Sequence, residues 1–178
     1  LMGLVDDCTL PDFFHGEEFS DRYLGRLLSM DYLRPLALEH LGGDDSDMVL
    51  VLNRQSAANY TVMQALVPPG SVVPYVVPSY PGGVSRGHPS IPQAIELARS
   101  RWEIVAAAEE LEKLLKTETD VPLITVCPLY RGVVSEETLK KVFSIAKRKR
   151  IPVYVDDAAG ARMRLVVYGQ SGALSMGA

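Results

Sequence analysis

The chain has 178 residues, a hydrophobic content of 47% and a formal net charge of −4 at pH 7. This length and apolar content suffice for one domain, or for a large part of one, and leave no room for two complete domains. The acidic balance excludes a protein whose main task is to hold nucleic acid through phosphate neutralisation, although it leaves room for a local basic patch.

Cysteine usage and hydropathy predict the compartment. Cys8 and Cys127 stand far apart and form no C-x-x-C spacing, which favours a reducing compartment and predicts neither a disulfide framework nor a zinc site. No uninterrupted apolar segment has the length needed to span a bilayer, and the N-terminal residues lack the basic and apolar regions of an export signal. We therefore expect a soluble, cytoplasmic protein that makes no membrane contact. We also expect the chain to be cut from a longer one.

Helical and strand patterns organise the chain after an irregular lead-in over residues 1–16. Two helical runs come first, at residues 23–28 and 33–41, and the second stops at Gly42, a position suited to a left-handed helix cap. Pro74 demotes one later strand towards a sheet edge or an irregular strand, because proline cannot donate to a strand ladder. Compact apolar runs predict five strands: Met48–Leu52, Val72–Val77, Trp102–Ala106, Val121–Cys127 and Ile151–Val155. The first and the last two of them are expected to be buried.

Helices are predicted between these strands. The last of them, at residues 135–150, has the clearest local pattern, with Ser135 as N-cap, two glutamates in its first turn and an apolar face that includes Leu139. An earlier helix is predicted to start at Ser90 as its cap. Strands that alternate with helices are typical of a mostly parallel sheet. We therefore predict an α/β fold of three layers, in which helices cover both faces of the sheet.

The strand at residues 151–155 ends in two adjacent carboxylates, Asp156 and Asp157. Ligands of open α/β sheets bind beyond the carboxyl ends of the strands, so this acid pair falls where chemistry is expected. Three interpretations compete. One acid could simply cap the following turn. The pair could hold Mg²⁺, which usually needs a further acid that the other strand ends do not offer. Alternatively, one acid could pair with the pyridinium nitrogen of pyridoxal phosphate.

The pyridoxal phosphate interpretation uses more of the sequence than the other two. Ala158 is a small residue near the acid that would let the ring lie flat. The segment Gln55–Ala57 opens a helix, where backbone N–H groups without internal partners and the positive end of the dipole can hold a phosphate. His88, in the Gly/Pro-rich loop over residues 80–92, could cover a ring face. Taken singly, the helix start is better explained by capping, and His88 is better explained as an ordinary loop residue.

Three motifs carry a resemblance to a known family. They are Asn53-Arg54-Gln55-Ser56-Ala57, His88-Pro89-Ser90-Ile91-Pro92 and Val155-Asp156-Asp157-Ala158-Ala159-Gly160-Ala161-Arg162-Met163-Arg164. Together they resemble the selenocysteine-synthase-like family of fold type I pyridoxal-phosphate-dependent enzymes, and its archaeal branch in particular. The resemblance runs from about Gly42 to the end of the chain. It implies part of the large domain of the aspartate-aminotransferase-like fold over residues 46–178, preceded by an irregular and helical segment over residues 1–45.

The resemblance also implies roles for individual residues. Asp156 would be the catalytic partner of the pyridinium nitrogen, although the sequence does not settle whether Asp156 or Asp157 contacts the ring. His88 would stack over the cofactor. The other implied contacts are Gln55, Ser56 and Ala57 to the phosphate, Ala158 to the ring and Arg162 to an anionic substrate. No metal ligand is implied.

One departure from the family concerns the lysine that forms the Schiff base. The resemblance places this lysine on the strand after the acid, and no lysine follows Asp156 in this chain. We therefore expect the chain to stop before the Schiff-base lysine and to form no Schiff base by itself.

The implied parent protein is a homo-oligomer, a dimer or larger, that acts on an amino-acid or aminoacyl substrate through pyridoxal phosphate. β-Elimination or β-replacement is the expected chemistry, and selenium transfer to a serine esterified on tRNA is a specific case that only the family resemblance implies. The alternative from another class is a catalytically silent α/β binding or assembly module that keeps the cofactor-domain shape. A magnesium-dependent phosphoryl-transfer domain is a third interpretation.

Overall fold

A computed structural model of the chain describes residues 28–50, 52, 54–158 and 160–178. The chain divides into two compact units between residues 51 and 52, and each is described by itself. In the first unit, helix α1 covers Leu28–Leu41 and ends at Gly42, whose φ of 75° gives the predicted left-handed cap. The predicted lead-in and most of the helical run at residues 23–28 lie outside the described residues. The domain boundary predicted at residues 45 and 46 stays a prediction.

The predicted strand Met48–Leu52 is wrong. Its described residues, 48–50 and 52, belong to no strand. The side chains of Met48 and Leu50 are 83% and 76% exposed, so the run is not buried either. A strand exists only where a neighbouring strand offers backbone partners, and a local run of apolar residues cannot guarantee such a partner.

A parallel sheet of four strands organises the second unit. In chain order the strands are β1 (Val72–Val76), β2 (Ser79–Tyr80), β3 (Gly83–Val84), β4 (Arg101–Val105), β5 (Ile124–Val126) and β6 (Val153–Val155). The parallel sheet has the spatial order β4-β1-β5-β6, and β2 pairs with β3 in a separate antiparallel hairpin. The carboxyl ends of β5 and β6 therefore lie next to each other at one edge of the sheet.

Helices cover both faces of this sheet, which confirms the predicted three-layer α/β fold. They are α2 (Gln55–Leu66), α3 (Ser90–Leu97), α4 (Ala108–Thr117), α5 (Glu136–Lys149) and α6 (Gly160–Tyr168), followed by a 3₁₀ turn at Leu174–Met176. In β1, Val73 and Tyr75 pack with the apolar residues of α2 and α3, whereas Val76 packs with those of α4 and α5. Alternate side chains of a strand face opposite sides, so each side carries its own helix layer. In the described part of the chain, no helix is both long enough and apolar enough to cross a membrane.

The last long helix begins as its sequence predicts. Ser135 is the N-cap of α5, and its hydroxyl accepts a hydrogen bond from the backbone N–H of Thr138 at 3.1 Å. The cap satisfies one of the N–H groups that a helix leaves without an internal partner. Leu139 and Phe143 are buried on the face that this helix turns to the core.

Pro74 lies in the middle of the sheet rather than at its edge, which corrects the sequence prediction. Strand β1 pairs with β4 on one side and with β5 on the other. The Pro74 carbonyl accepts a hydrogen bond from the Thr125 hydroxyl at 2.9 Å, so the residue faces β5. Pairing with β5 starts only at Tyr75. The missing N–H of proline therefore falls just before this ladder begins and breaks no rung of it.

Tyr75 ties the loop before α3 to the sheet. Its hydroxyl accepts a hydrogen bond from the backbone N–H of His88 at 2.8 Å and approaches the His88 carbonyl at 3.3 Å. Burial raises the pKa of Tyr75, so the hydroxyl stays protonated and can donate. Gly87 has a φ of +62°, and a Cβ added to it would overlap the Tyr75 ring and hydroxyl. The close approach of loop and strand thus requires glycine at this position.

We expect Gly87→Ala to destabilise the fold more than a glycine-to-alanine change at Gly169. Both glycines have a φ of +62°, but a Cβ on Gly169 would meet no atom within 4 Å. Both variants carry the strain of a left-handed alanine, about 1–2 kcal/mol, and Gly87→Ala adds an overlap of about 1–3 kcal/mol. Urea unfolding of the two variants measures the difference. Equal losses would show that Tyr75 does not constrain the loop.

Candidate functional site

Asp156 lies at the carboxyl end of β6, where its backbone N–H donates to the Val126 carbonyl at 2.8 Å and extends the ladder with β5. Its side chain is buried, and its Oδ1 accepts a hydrogen bond from Nε2 of Gln55, the first residue of α2. Its Oδ2 accepts from Nδ2 of Asn59 at 3.3 Å. The acid and the helix start, which lie 101 residues apart in sequence, are therefore direct neighbours.

The Asp156 carboxylate has neutral partners in the described part of the chain, where no ion pair includes it. Burial raises its pKa above the ordinary value of 3.8, and the hydrogen bond from Asn59 offsets part of that rise. A carboxylate whose pKa is raised in this way would gain from a cationic partner, because an opposite charge restores the ionised form. The site therefore suits a ligand that brings a positively charged N–H group.

Asp157 has a different environment from its neighbour. It pairs with Arg164 of α6, whose Nε donates to Asp157 Oδ1 at 3.0 Å and whose Nη2 donates to Oδ2. The two side chains are only 7% and 1% exposed. Arg164 Nη1 also donates to Gln170 Oε1 at 3.2 Å, and Gln170 Nε2 donates to the Val134 carbonyl at 3.0 Å. Asp157 is thus part of a buried hydrogen-bonded network, whereas Asp156 has no ion pair among the described residues.

The start of α2 has backbone N–H groups of the kind that an anion site needs. Arg54 is the N-cap residue in extended conformation, and its own side chain does not cap the helix. Among the described residues, the first backbone bond runs from the Ala58 N–H to the Arg54 carbonyl at 3.2 Å. Within the described ranges, the N–H groups of the segment Gln55–Ala57 have no hydrogen-bond acceptor. Asn53, the residue before Arg54, lies outside those ranges.

His88 lies beside this group of residues at the start of α3. Its Nδ1 is 2.7 Å from the hydroxyl of Ser90, and its ring meets the Tyr130 ring edge-on with centroids 6.0 Å apart. The prediction that Ser90 caps α3 is wrong. Ser90 is the first residue of the helix, after Pro89 as the N-cap residue, and its hydroxyl points to His88 and Asn59 instead.

The sequence did not identify three polar residues as part of the site: Asn59, Ser90 and Tyr154. Ser90 was predicted only as a helix cap. Asn59 is fully buried and lies one helical turn after Gln55, a spacing that places both on one face of α2. Tyr154 lies two residues before Asp156, and alternate strand residues share a face. Its hydroxyl donates to Asn59 Oδ1 at 2.5 Å. Burial and the charge of Asp156 raise the pKa of Tyr154 to about 12.

Two further predicted residues follow Asp156 along the chain. Ala158 lies in the exposed turn between β6 and α6. Arg162 belongs to α6, but its side chain lies outside the described part of the structure. Their predicted contacts to a ring and to a substrate stay predictions.

The chain is similar to archaeal proteins, although no protein-family model matches it. It is 35% identical over 180 residues to a UPF0425 pyridoxal phosphate-dependent protein of Methanothermobacter thermautotrophicus, over 99% of this chain and 45% of that protein. A protein of the same name from Methanosphaera stadtmanae is 32% identical over 158 residues, over 89% of this chain and 39% of the relative. The chain thus spans less than half the length of these relatives. Pyridoxal phosphate, the predicted cofactor, is the cofactor named for both relatives.

Solved structures establish the fold. The SepCysS-SepCysE N-terminal domain complex matches with a TM-score of 0.58 and 20% identity, over 74% of this chain and 36% of the other. LysN of Thermus thermophilus, an α-aminoadipate aminotransferase complexed with N-(5'-phosphopyridoxyl)-L-leucine, matches with a TM-score of 0.55 and 23% identity, over 71% of this chain and 32% of LysN. The cysteine desulfurase CsdA of Escherichia coli matches with a TM-score of 0.59 and 12% identity, over 95% of this chain and 41% of CsdA. The predicted aminotransferase-like fold is confirmed for the part of the chain that these structures cover.

We expect neutral substitutions of the two adjacent acids to differ in their effect on stability. Because the folded pKa of Asp156 is raised, the stability it contributes is full below pH 3.8 and is lost as the pH rises through its folded pKa. Asp156→Asn removes that loss, so the variant should be at least as stable as the wild type at pH 7. Asp157→Asn leaves the buried Arg164 guanidinium unpaired and should cost about 3–5 kcal/mol.

Urea unfolding of the wild type and of both variants, from about pH 4 to about pH 7, measures these effects. The wild-type protein should lose stability relative to Asp156→Asn as the pH rises. If Asp156→Asn were as damaging at neutral pH as Asp157→Asn, the assignment of a destabilising charge to Asp156 would be wrong.

Proposed function

We propose that this chain forms part of a pyridoxal-phosphate-dependent enzyme in which Asp156 pairs with the pyridine nitrogen of the cofactor. The observation that carries the proposal is a buried carboxylate with amide partners, placed next to a helix start whose first N–H groups have no acceptor among the described residues. The fold and the named cofactor of the archaeal relatives support it. Because Arg164 neutralises Asp157, Asp156 is the acid of the pair that we assign to the ring.

The proposed phosphate site is the first turn of α2. The N–H groups of Gln55, Ser56 and Ala57, together with the Ser56 hydroxyl, offer donors at the positive end of the helix dipole. Gln55 links the two parts of the site, because its side chain touches Asp156 while its backbone opens the helix. This contact supports one ligand that reaches both the acid and the helix start.

When bound, pyridoxal phosphate acts as an electron sink for substrate bonds at the α-carbon. The carboxylate of Asp156 would keep a proton on the ring nitrogen, which requires that the acid itself stay ionised. Gln55 and Asn59 orient the carboxylate, and its two oxygens keep further lone pairs for another donor. His88 would cover one face of the ring, and Ala158 would leave room for the ring to lie flat.

The proposed substrate is an amino acid or an aminoacyl group, and the proposed chemistry is β-elimination or β-replacement. The support is the resemblance of the three motifs to the selenocysteine-synthase-like family. A tRNA-linked substrate, Arg162 as its anion contact and assembly as a homo-oligomer are implied in the same way. A catalytically silent module with the same shape is the alternative, and it would bind no amino acid at the cofactor.

We expect the full-length protein to bind pyridoxal phosphate and Asp156→Asn to bind it about 10- to 100-fold more weakly. A hydrogen bond to a charged group contributes about 1.5–3 kcal/mol, and about 1.4 kcal/mol corresponds to tenfold in affinity. Titration followed by visible absorption gives the dissociation constant. Asp120→Asn, a change of the same type at an exposed position, serves as the control and should bind as the wild type does.

The proposal fails if the full-length protein binds no pyridoxal phosphate, or if Asp156→Asn binds it with wild-type affinity. Addition of amino acids to the loaded protein separates the two function classes. An enzyme should change the absorption of its bound cofactor with at least one of them, whereas a silent module should leave the spectrum unchanged.

A further inference from the structure

We propose that Asn59 and Ser90 fix the tautomer of His88, so that ring Nδ1 accepts a hydrogen bond and the ring proton resides on Nε2. One chain of hydrogen bonds runs from Asp156 through Asn59 and Ser90 to the imidazole. The tautomer itself follows from contacts within this chain. Its meaning for a bound cofactor rests on the proposed function.

The charge of Asp156 determines which way the Asn59 amide points. Asn59 Nδ2 lies 3.3 Å from Asp156 Oδ2 and 2.7 Å from Ser90 Oγ, while Oδ1 faces the Tyr154 hydroxyl at 2.5 Å. The opposite orientation would place the amide oxygen against a carboxylate oxygen, where two acceptors repel each other. In the observed orientation both N–H groups have acceptors and Oδ1 has a donor. Asn59 is fully buried, so an unmet group there would be costly.

The Ser90 hydroxyl connects Asn59 to the imidazole of His88. The hydroxyl oxygen accepts from Asn59 Nδ2 with one lone pair, and its single proton remains available for donation. His88 Nδ1 lies 2.7 Å from that hydroxyl. The backbone N–H of Ser90 also points at Nδ1, at 3.4 Å. Two donors therefore converge on Nδ1, and a nitrogen that accepts cannot carry the proton of a neutral ring.

The consequence is that one buried amide serves both halves of the site. Asn59 donates to the acid proposed to hold a proton on the cofactor ring, and through Ser90 it favours the Nε2–H tautomer of the histidine proposed to cover that ring. Asn59 and Ser90 are thus positioning residues, and neither needs to touch the cofactor.

The tautomer can be measured in the full-length protein without cofactor. Two-bond ¹H–¹⁵N correlation NMR of the histidine-labelled protein, at a pH where the ring is neutral, distinguishes protonated from unprotonated ring nitrogens. This chain contributes three histidines to the full-length protein. The His88→Gln variant identifies the His88 signals by their loss. We expect a protonated Nε2 and an unprotonated Nδ1 whose shift shows an accepted hydrogen bond. A protonated Nδ1 in the wild-type protein would overturn the proposal.

Variants test whether Ser90 and Asn59 cause this state. In Ser90→Ala the Nδ1 signal should move toward the position of a nitrogen that accepts no hydrogen bond, while Ser144→Ala, at an exposed helical position, should leave it unchanged. In Asn59→Leu the Ser90 oxygen loses its amide donor and both of its lone pairs become available, so the Nδ1–H form should become more populated than in the wild type.

Circular dichroism confirms that each variant is folded. A folded Ser90→Ala protein with an unchanged Nδ1 signal would overturn the proposal as decisively as the wrong wild-type tautomer. Because the spectra are recorded without pyridoxal phosphate, failure to bind the cofactor would refute the proposed function and leave the tautomer result standing. The wrong tautomer combined with normal cofactor binding would refute only the present inference.

Discussion

Asp156 brings a negative charge into the interior at the carboxyl end of β6, and its partners in the described structure are the side-chain amides of Gln55 and Asn59. Burial of a carboxylate with neutral partners raises its pKa and opposes folding at neutral pH. Proteins retain such groups where function needs them, because a residue selected for stability alone would be neutral or paired. The rest of the site is arranged around this unpaired charge.

The neighbouring acid shows how a pair of identical side chains can be given separate tasks. Asp157 is neutralised by Arg164, and through Gln170 the pair is joined to the segment before α5. This network anchors the turn between β6 and α6. The difference between the two acids therefore comes from the fold around them, since both carry the same chemistry and lie one residue apart.

The sequence predicted the elements that local patterns determine and missed those that depend on distant partners. Apolar runs, turn residues and the Ser135 cap were sufficient for the parallel α/β fold and for an acid at a strand end. The run Met48–Leu52 has the same local character, but its described residues belong to no strand. Pro74 is tolerated in a central strand because pairing with β5 begins one residue later. Asn59 could have been suspected from its helical spacing to Gln55. Its bonds to Tyr154 and Ser90, 95 and 31 residues away, could not.

We propose that the Asp156 carboxylate keeps a proton on the ring nitrogen of the cofactor. The most direct measurement is the ¹⁵N chemical shift of the ring nitrogen of ¹⁵N-labelled pyridoxal phosphate bound to the full-length protein, recorded for the wild type and for Asp156→Asn. We expect a protonated ring nitrogen in the wild-type protein and an unprotonated ring nitrogen in Asp156→Asn. An unprotonated ring nitrogen in the wild-type protein would contradict this proposal.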